Sequence, residues 1–146
     1  VNPTDAGNLG TIARTMLGLD VTNLAIVTPA VDLLAPRTVR AAMGAVFQLG
    51  FEMFAGLDAY RARFRHNLYP FLTDGPVSLP GATFESPYTL VFGPEGAGLG
   101  PEYHAVGTGV RIPQSGRIDS LNLAVAVAIA LYAAAHPRAS AVPPSA

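Results

Sequence analysis

Apolar residues change their spacing repeatedly along the chain, from helical intervals to short continuous runs. In residues 7–20, Leu9, Ile12 and Met16 recur at three- and four-residue intervals, which predicts an amphipathic helix. Residues 23–28 (NLAIVT) then form a short apolar run, which predicts a buried strand. The first third of the chain therefore begins as a helix followed by a strand.

The same alternation continues to the end of the chain. Further helices are predicted over residues 36–47, which begin with proline, 57–65 and 121–135. Further strands are predicted over residues 67–73, 86–93 and 109–113. Alternating helices and strands predict an α/β fold with a mostly parallel sheet, in which ligands bind at the loops that follow the carboxyl ends of the strands.

Length and composition predict one domain that meets a partner subunit. A chain of 146 residues is long enough to bury one core. Half of the residues are hydrophobic and only 13% are charged, so we expect part of the apolar surface to be covered in an oligomer. The net charge of −1 gives no general attraction for polyanions, so any polyanion would have to be held by a local patch.

The residue content argues against disulfides, metal sites and insertion into a membrane. The chain has no cysteine, which excludes disulfides and thiolate metal sites and fits a cytoplasmic enzyme without a signal peptide. The apolar run at residues 121–135 is shorter than the ~20 residues that span a bilayer, so it predicts a buried helix and no membrane protein. His66, His104 and His136 lack metal-binding spacing, so we expect surface histidines and no metal site.

Three polar, glycine-rich loops carry the candidate chemistry: residues 2–10 (NPTDAGNLG), 92–100 (FGPEGAGLG) and 112–122 (IPQSGRIDSLN). Each is interpreted as a strand-to-helix junction, and such junctions can converge in space. They contain neither the G-x-G-x-x-G dinucleotide fingerprint nor a P-loop lysine. Ser115 and Ser120 also lie outside a G-x-S-x-G motif, which disfavours a serine hydrolase.

In this order, the loops resemble the signature motifs of the SpoU-type (TrmH-like) RNA ribose 2′-O-methyltransferases of the SPOUT superfamily. Residues 2–15 resemble the first motif, 90–99 the second and 112–132 the third, while residues 39–47 (VRAAMGAVF) resemble the family's middle segment. The resemblance implies a catalytic domain at residues 1–136 and a flexible tail at 137–146. It also implies that this domain lacks the family's first strand and an N-terminal RNA-binding extension.

The resemblance further implies a fold, a cofactor and partners. The α/β domain would end in a deep trefoil knot, a rare exception to unknotted chains. S-adenosylmethionine would bind in the knot, two chains would pair to complete the site, and the substrate would be rRNA or tRNA, with rRNA favoured. A non-catalytic RNA-binding or assembly module with the same fold is the alternative, and a different α/β nucleotide-binding enzyme is a third possibility.

Site residues follow from matching positions in the motifs. The cofactor-binding residues implied are Phe92, Gly93, Glu95, Gly96, Ile112, Pro113, Gln114 and Leu121. The catalytic residues implied are Asn8, Arg14, Glu95, Ser120 and Asn122.

The implied catalytic residues also have simpler interpretations. Arg14 would either take the proton of the ribose 2′-hydroxyl or bind a substrate phosphate while a phosphate oxygen or water takes the proton. Asn8 would orient Arg14 or the substrate, although it could also cap the first helix. Glu95 would hold the geometry of its loop or of the arginine. Asp119 could cap the last helix, with Ser120 in its first turn.

Overall fold

The computed structural model describes residues 1–137, and helices alternate with parallel strands throughout this part of the chain. The four α-helices are α1 (Ala6–Gly18), α2 (Pro36–Ala41), α3 (Leu57–Arg63) and α4 (Leu123–Ala135). The six strands are β1 (Asn23–Val27), β2 (Gly50–Phe54), β3 (Asn67–Pro70), β4 (Val77–Ser78), β5 (Tyr88–Val91) and β6 (Val110–Arg111). Short 3₁₀ helices occupy Ala45–Gln48, Leu79–Gly81 and Pro101–Ala105. The predicted α/β class is confirmed, whereas the predicted tail lies outside the described residues except for Pro137.

The strands form three parallel pairs, which bring the ends of distant segments together. β1 pairs with β2 from Asn23 opposite Gly50 to Val27 opposite Phe54. β3 pairs with β5, β4 pairs with β6, and a single parallel bridge between Phe71 and Val110 connects these two pairs. The loops that follow β3, β5 and β6 therefore leave the sheet on the same side.

The predicted helix at residues 36–47 is wrong in its second half. α2 ends at Ala41 because Met43 and Gly44 adopt left-handed backbone conformations, with φ angles of 51° and 79°. A right-handed helix cannot continue through such residues. The chain instead makes a 3₁₀ turn and enters β2, an edge strand that the apolar pattern does not predict. Phe51 and Met53 on this strand are exposed and flank Glu52, so β2 lacks the continuous apolar run that marks β1.

The main core lies between α1, α4 and β1. The buried residues of α1 are Leu9, Gly10, Ile12, Ala13 and Met16, which confirms the predicted amphipathic face. Gly10 allows α1 to approach α2 closely, since a Cβ atom there would lie 2.6 Å from the Thr38 carbonyl oxygen and 2.6 Å from Ala41 Cβ. α1 also packs on α4, and the hydrogen bond from Asn122 to Asn8 shows that the first turns of the two helices lie next to each other.

One face of α4 is buried and another is exposed, although its sequence is apolar on all sides. Ala124, Val127, Ala130 and Leu131 are buried. The exposed apolar residues are Val125, Ile129 and Tyr132, which is 59% exposed. The predicted buried helix is thus correct for one face only. Within residues 1–137, no helix combines the length and the apolar character needed to cross a membrane.

Candidate active site

The three glycine-rich loops line one cavity of about 750 Å³. Its walls are formed by the loop after β3 (residues 71–74), residues 92–99, the 3₁₀ helix at Pro101–Ala105, and the segment from Ile112 to the first turn of α4. Asn8 in α1 completes the lining. The predicted convergence of the three loops is therefore observed at the carboxyl ends of β3, β5 and β6.

A chain of side-chain hydrogen bonds joins all three loops. Asn122 Nδ2 donates to Asn8 Oδ1 over 3.0 Å, and Asn8 Nδ2 donates to Glu95 Oε1 over 3.2 Å. The other carboxylate oxygen, Glu95 Oε2, accepts bonds from the Thr4 backbone N–H (3.0 Å) and from Thr4 Oγ1 (2.8 Å). Residues separated by up to 118 positions are thereby held in one fixed arrangement at the cavity wall.

The helix caps differ from those predicted, and the cap at Asp5 leaves the Asn8 side chain free for the network. Asp5 caps α1 by accepting the Asn8 N–H over 2.7 Å, so the cap prediction for Asn8 is wrong. Asn122 caps α4 by accepting the N–H groups of Ala124 (2.9 Å) and Val125 (3.3 Å). The cap prediction for Asp119 is also wrong. Ser120 precedes the helix that it was expected to enter.

Glu95 is held as a carboxylate. Partial burial raises the pKa of Glu95, but hydrogen bonds from the Thr4 backbone and hydroxyl, from its own backbone N–H and from the Asn8 amide outweigh that effect. The net result is a pKa below the ordinary value of 4.5, because every one of these bonds favours the charged acceptor. At neutral pH the group is therefore an anion that organises donors around it.

The second loop folds back on itself so tightly that it requires glycine. A Cβ atom on Gly93 would lie 2.6 Å from the Gly98 carbonyl oxygen, closer than any side chain tolerates. Gly96 and Gly98 have φ angles of 80° and 67°, which favour glycine. The loop therefore presents bare backbone to the cavity, as a ligand held by main-chain groups requires.

The remaining wall combines an apolar surface with acidic groups. The rings of Phe71 and Phe92 stack with their centroids 4.5 Å apart and an interplanar angle of 18°. Three carboxylates also line the cavity, those of Asp74, Glu95 and Asp119. No arginine lines it in the part of the chain that the structure describes. The cavity suits a ligand that has an aromatic or apolar part and a positive charge.

Most of the sequence-predicted site residues line this cavity. They are Asn8, Phe92, Gly93, Glu95, Gly96, Ile112, Gln114, Ser120, Leu121 and Asn122. Pro113 is exposed and lies outside the lining. Arg14 also lies outside it, on the exposed side of α1, where its Nη1 donates to Met43 Sδ over 3.3 Å.

Two segments of the wall were missed from the sequence. The loop after β3 contributes Phe71, Leu72, Thr73 and Asp74, and the 3₁₀ helix contributes Pro101 and His104. The predicted strand at residues 67–73 took in most of the first segment, whereas β3 ends at Pro70 and leaves residues 71–74 as a loop. Only Asp74, directly after the predicted strand, was marked by its position. His66 differs from its predicted surface position, since it is half-buried and its Nδ1 lies 2.9 Å from Thr89 Oγ1. Residues 1–137 contain no group of three or more histidine or acidic side chains placed to hold a metal ion.

Comparison with known sequences gives one family over almost the whole chain. Residues 1–132 match the model of the SpoU rRNA Methylase family. A protein of Synechocystis sp. named an uncharacterized tRNA/rRNA methyltransferase is 31% identical over 134 residues, which cover 89% of this chain and 49% of the relative. The chain spans about half the length of the curated relatives that it matches.

Solved structures agree with the sequence comparison. A structure described as giving insight into 2-OH methylation of C/U34 on tRNA has a TM-score of 0.85 and 32% identity, and the match covers 92% of this chain and 90% of that one. An AdoMet-bound rRNA methyltransferase from Sinorhizobium meliloti has a TM-score of 0.84 and 35% identity over 92% of this chain and 53% of its own. The family model, the relatives and the arrangement of the three loops agree, and the chain belongs to the SpoU rRNA methylase family.

Proposed function

We propose that this chain transfers a methyl group from S-adenosylmethionine to a ribose 2′-hydroxyl of RNA. The observation that carries the proposal is the hydrogen-bonded chain Asn122–Asn8–Glu95–Thr4, which joins all three motif loops at the wall of one cavity. Two similar structures support it, because one is described as AdoMet-bound and the other concerns 2-OH methylation of tRNA.

The residues of the cavity fit this cofactor. The stacked Phe71 and Phe92 and the side chain of Ile112 offer an apolar wall for an adenine ring, and the bare backbone around Gly93 and Gly96 offers main-chain hydrogen bonds. Gln114 and Leu121 complete the lining, and we place Pro113 as a backbone support for Ile112. The cofactor supplies an activated methyl group on a sulfonium centre.

Charge distinguishes this cofactor from a phosphate-bearing nucleotide. The lining carboxylates of Glu95 and Asp119 favour the positive sulfonium and oppose phosphate groups. A nucleotide-binding enzyme would need cationic or helix-terminal partners for its phosphates, and no arginine in the described residues lines the cavity. The N-terminus of α4 does line it, but the N–H groups of Ala124 and Val125 are bonded to Asn122. The acidic lining therefore disfavours that alternative.

The transfer itself requires in-line alignment and a route for the proton of the 2′-hydroxyl. We assign alignment to Ser120 and Asn122, which line the cavity, and the rigid support of Asn122 to Asn8 and Glu95. Arg14 is exposed and is a cation at neutral pH, so we assign it to a phosphate of the RNA. A phosphate oxygen or water then takes the proton.

We also propose that two chains form a homodimer through α4. The stripe of Val125, Ile129 and Tyr132 on this helix is apolar and exposed, a surface that subunit contacts commonly cover. Sedimentation of the purified chain tests the assignment. A dimer that Tyr132→Glu converts to monomer is the expected result, and a dimer that is unaffected by this change places the contact elsewhere.

A deep trefoil knot in the C-terminal part is a further element of the proposal. It is supported by the close passage of β6 beside the loop after β3, where Leu72 N–H donates to the Val110 carbonyl over 2.8 Å and Gly75 lies against Val110. Stretching a single molecule tests it. A knotted chain stops short of its full contour length, whereas an unknotted chain reaches it.

The first experiment is calorimetric titration with S-adenosylmethionine and with S-adenosylhomocysteine, followed by mapping of 2′-O-methyl groups on unmodified rRNA and tRNA. We expect saturable binding of a single ligand per chain. rRNA is the first substrate to test and tRNA the second, since similar structures concern both. A folded dimer that binds neither ligand would overturn the proposal in favour of a non-catalytic RNA-binding module.

A further inference from the structure

A second polar contact crosses the cavity wall, away from the motif residues. His104 Nε2 lies 3.3 Å from Asp74 Oδ1, and both residues line the cavity. Asp74 belongs to the loop after β3, and His104 belongs to the 3₁₀ helix at Pro101–Ala105. These are the same two wall segments that lie outside the three glycine-rich loops.

The 3₁₀ helix is lightly packed, so the contact at His104 adds a restraint to it. None of its five residues is buried, and its apolar contact with the core comes from the partly buried Tyr103. It directly follows the second loop, whose glycines favour unusual backbone conformations at Gly96 and Gly98. A tie at His104 therefore restrains the far end of that loop, while the bonds to Glu95 restrain its near end.

The other side of the contact is anchored firmly. Phe71, three residues before Asp74, stacks on Phe92, and Leu72 is buried with its N–H bonded to the Val110 carbonyl over 2.8 Å. Asp74 thus extends from a rigid base, whereas His104 extends from a weakly packed turn. The contact transfers the rigidity of the β3 loop to the second loop.

We propose that Asp74 and His104 act as a positioning pair that holds the second loop in its cofactor-binding conformation. The inference rests on the proposed function, since the ligand is the cofactor assigned above. The pair acts through the loop backbone, so it strengthens the binding of S-adenosylmethionine and of S-adenosylhomocysteine by the same factor. A direct contact between Asp74 and the sulfonium would instead favour the cationic ligand alone.

A double-mutant cycle on ligand affinity tests this pair. The dissociation constants of both ligands are measured for the wild type, Asp74→Asn, His104→Gln and the double variant. We expect each single change to weaken both ligands by the same factor, about two- to fivefold for a partly exposed pair, and the double change to weaken them no further. Asp58→Asn is the matched control, because Asp58 pairs with Arg61 at 3.7 Å outside the cavity, and it should change neither constant.

Three outcomes would overturn the pair's role: effects that add in the double variant, a loss confined to S-adenosylmethionine in Asp74→Asn, or wild-type affinity in both single variants. Hydrogen exchange of the amides at residues 100–106, measured without ligand, separates this inference from the proposed function. We expect faster exchange in each single variant and no further increase in the double. If the wild type binds neither ligand, the proposed function fails while hydrogen exchange still decides whether the pair restrains the loop.

Discussion

Asn8 and Glu95 are hydrogen-bonded across 3.2 Å, although 87 residues separate them in the chain. Asn8 uses both ends of its amide, because its oxygen accepts from Asn122 while its nitrogen donates to Glu95. The Glu95 carboxylate can only accept hydrogen bonds, so the Asn8 nitrogen must face Glu95 and the Asn8 oxygen must face Asn122. The amide of Asn8 is therefore fixed in one orientation and transmits that orientation to the start of α4.

Replacing Glu95 by glutamine should destabilise the protein in a pH-dependent manner. The pKa of Glu95 is lowered in the folded protein, so its stabilising contribution is fully present above the ordinary value of 4.5 and is lost as the pH falls through the lowered pKa. We expect a difference in unfolding free energy of at most about 1 kcal/mol at pH 7, because the carboxylate is screened by solvent. Urea unfolding of both proteins from neutral to acidic pH measures it. A difference that stays constant on acidification would contradict the assigned ionisation.

Asn122 has two separable roles, which two substitutions distinguish. Asn122→Ala removes the cap of α4 and should lower the unfolding free energy by about 1 kcal/mol. Asn122→Ser keeps an oxygen that can cap the helix but loses the amide that donates to Asn8, so its stability should stay within a few tenths of a kcal/mol of the wild type. Both variants should lose methyl transfer. Equal destabilisation by alanine and serine would show that the cap is not the source of the effect.

Two glycines of α1 should respond oppositely to alanine. Alanine is favoured over glycine in a helix by up to about 1 kcal/mol, and nothing lies within 4 Å of a Cβ atom at Gly18. At Gly10 the added methyl group would lie 2.6 Å from the Thr38 carbonyl oxygen, so Gly10→Ala should cost about 1–3 kcal/mol as α1 and α2 move apart. Chemical denaturation of the two variants measures both effects. Similar stabilities would mean that the α1–α2 contact is looser than described.

Arg14→Ala should abolish methyl transfer and leave cofactor affinity unchanged, because Arg14 lies outside the cavity and contacts Met43. We expect the transfer rate to fall by at least about 100-fold, the effect of losing a group that positions the substrate. Single-turnover rates and calorimetric titration measure the two quantities. Arg61→Ala is the control, since Arg61 is an exposed arginine on α3. An Arg14→Ala protein with near wild-type turnover would refute the assigned role.

The spacing of apolar residues was sufficient to predict the elements that keep one apolar stripe or one apolar run along their length. α1, with its apolar stripe, and β1 and β5, with their apolar runs, lie where the sequence places them. The prediction for α2 ran too far because the side chains after Ala41 are compatible with a helix. Only the backbone conformations of Met43 and Gly44 end it. β2 was missed because Glu52 interrupts its apolar residues, so no continuous apolar run marks this strand.

By itself, the sequence determined the α/β class, the family and the three loops, because these depend on residue types at fixed spacings. Ten of the implied site residues then line one cavity. Only the tertiary structure decided that Asp5 and Asn122 are the helix caps, that Asn8 joins Glu95 to Asn122, and that Asp74 meets His104. The caps are local bonds between residues two or three positions apart, and the structure decided them by fixing where each helix begins. The contacts of Asn8 and of Asp74 depend on which polar groups meet after distant segments pack, because hydrogen bonds act over about 3 Å in space regardless of the distance along the chain.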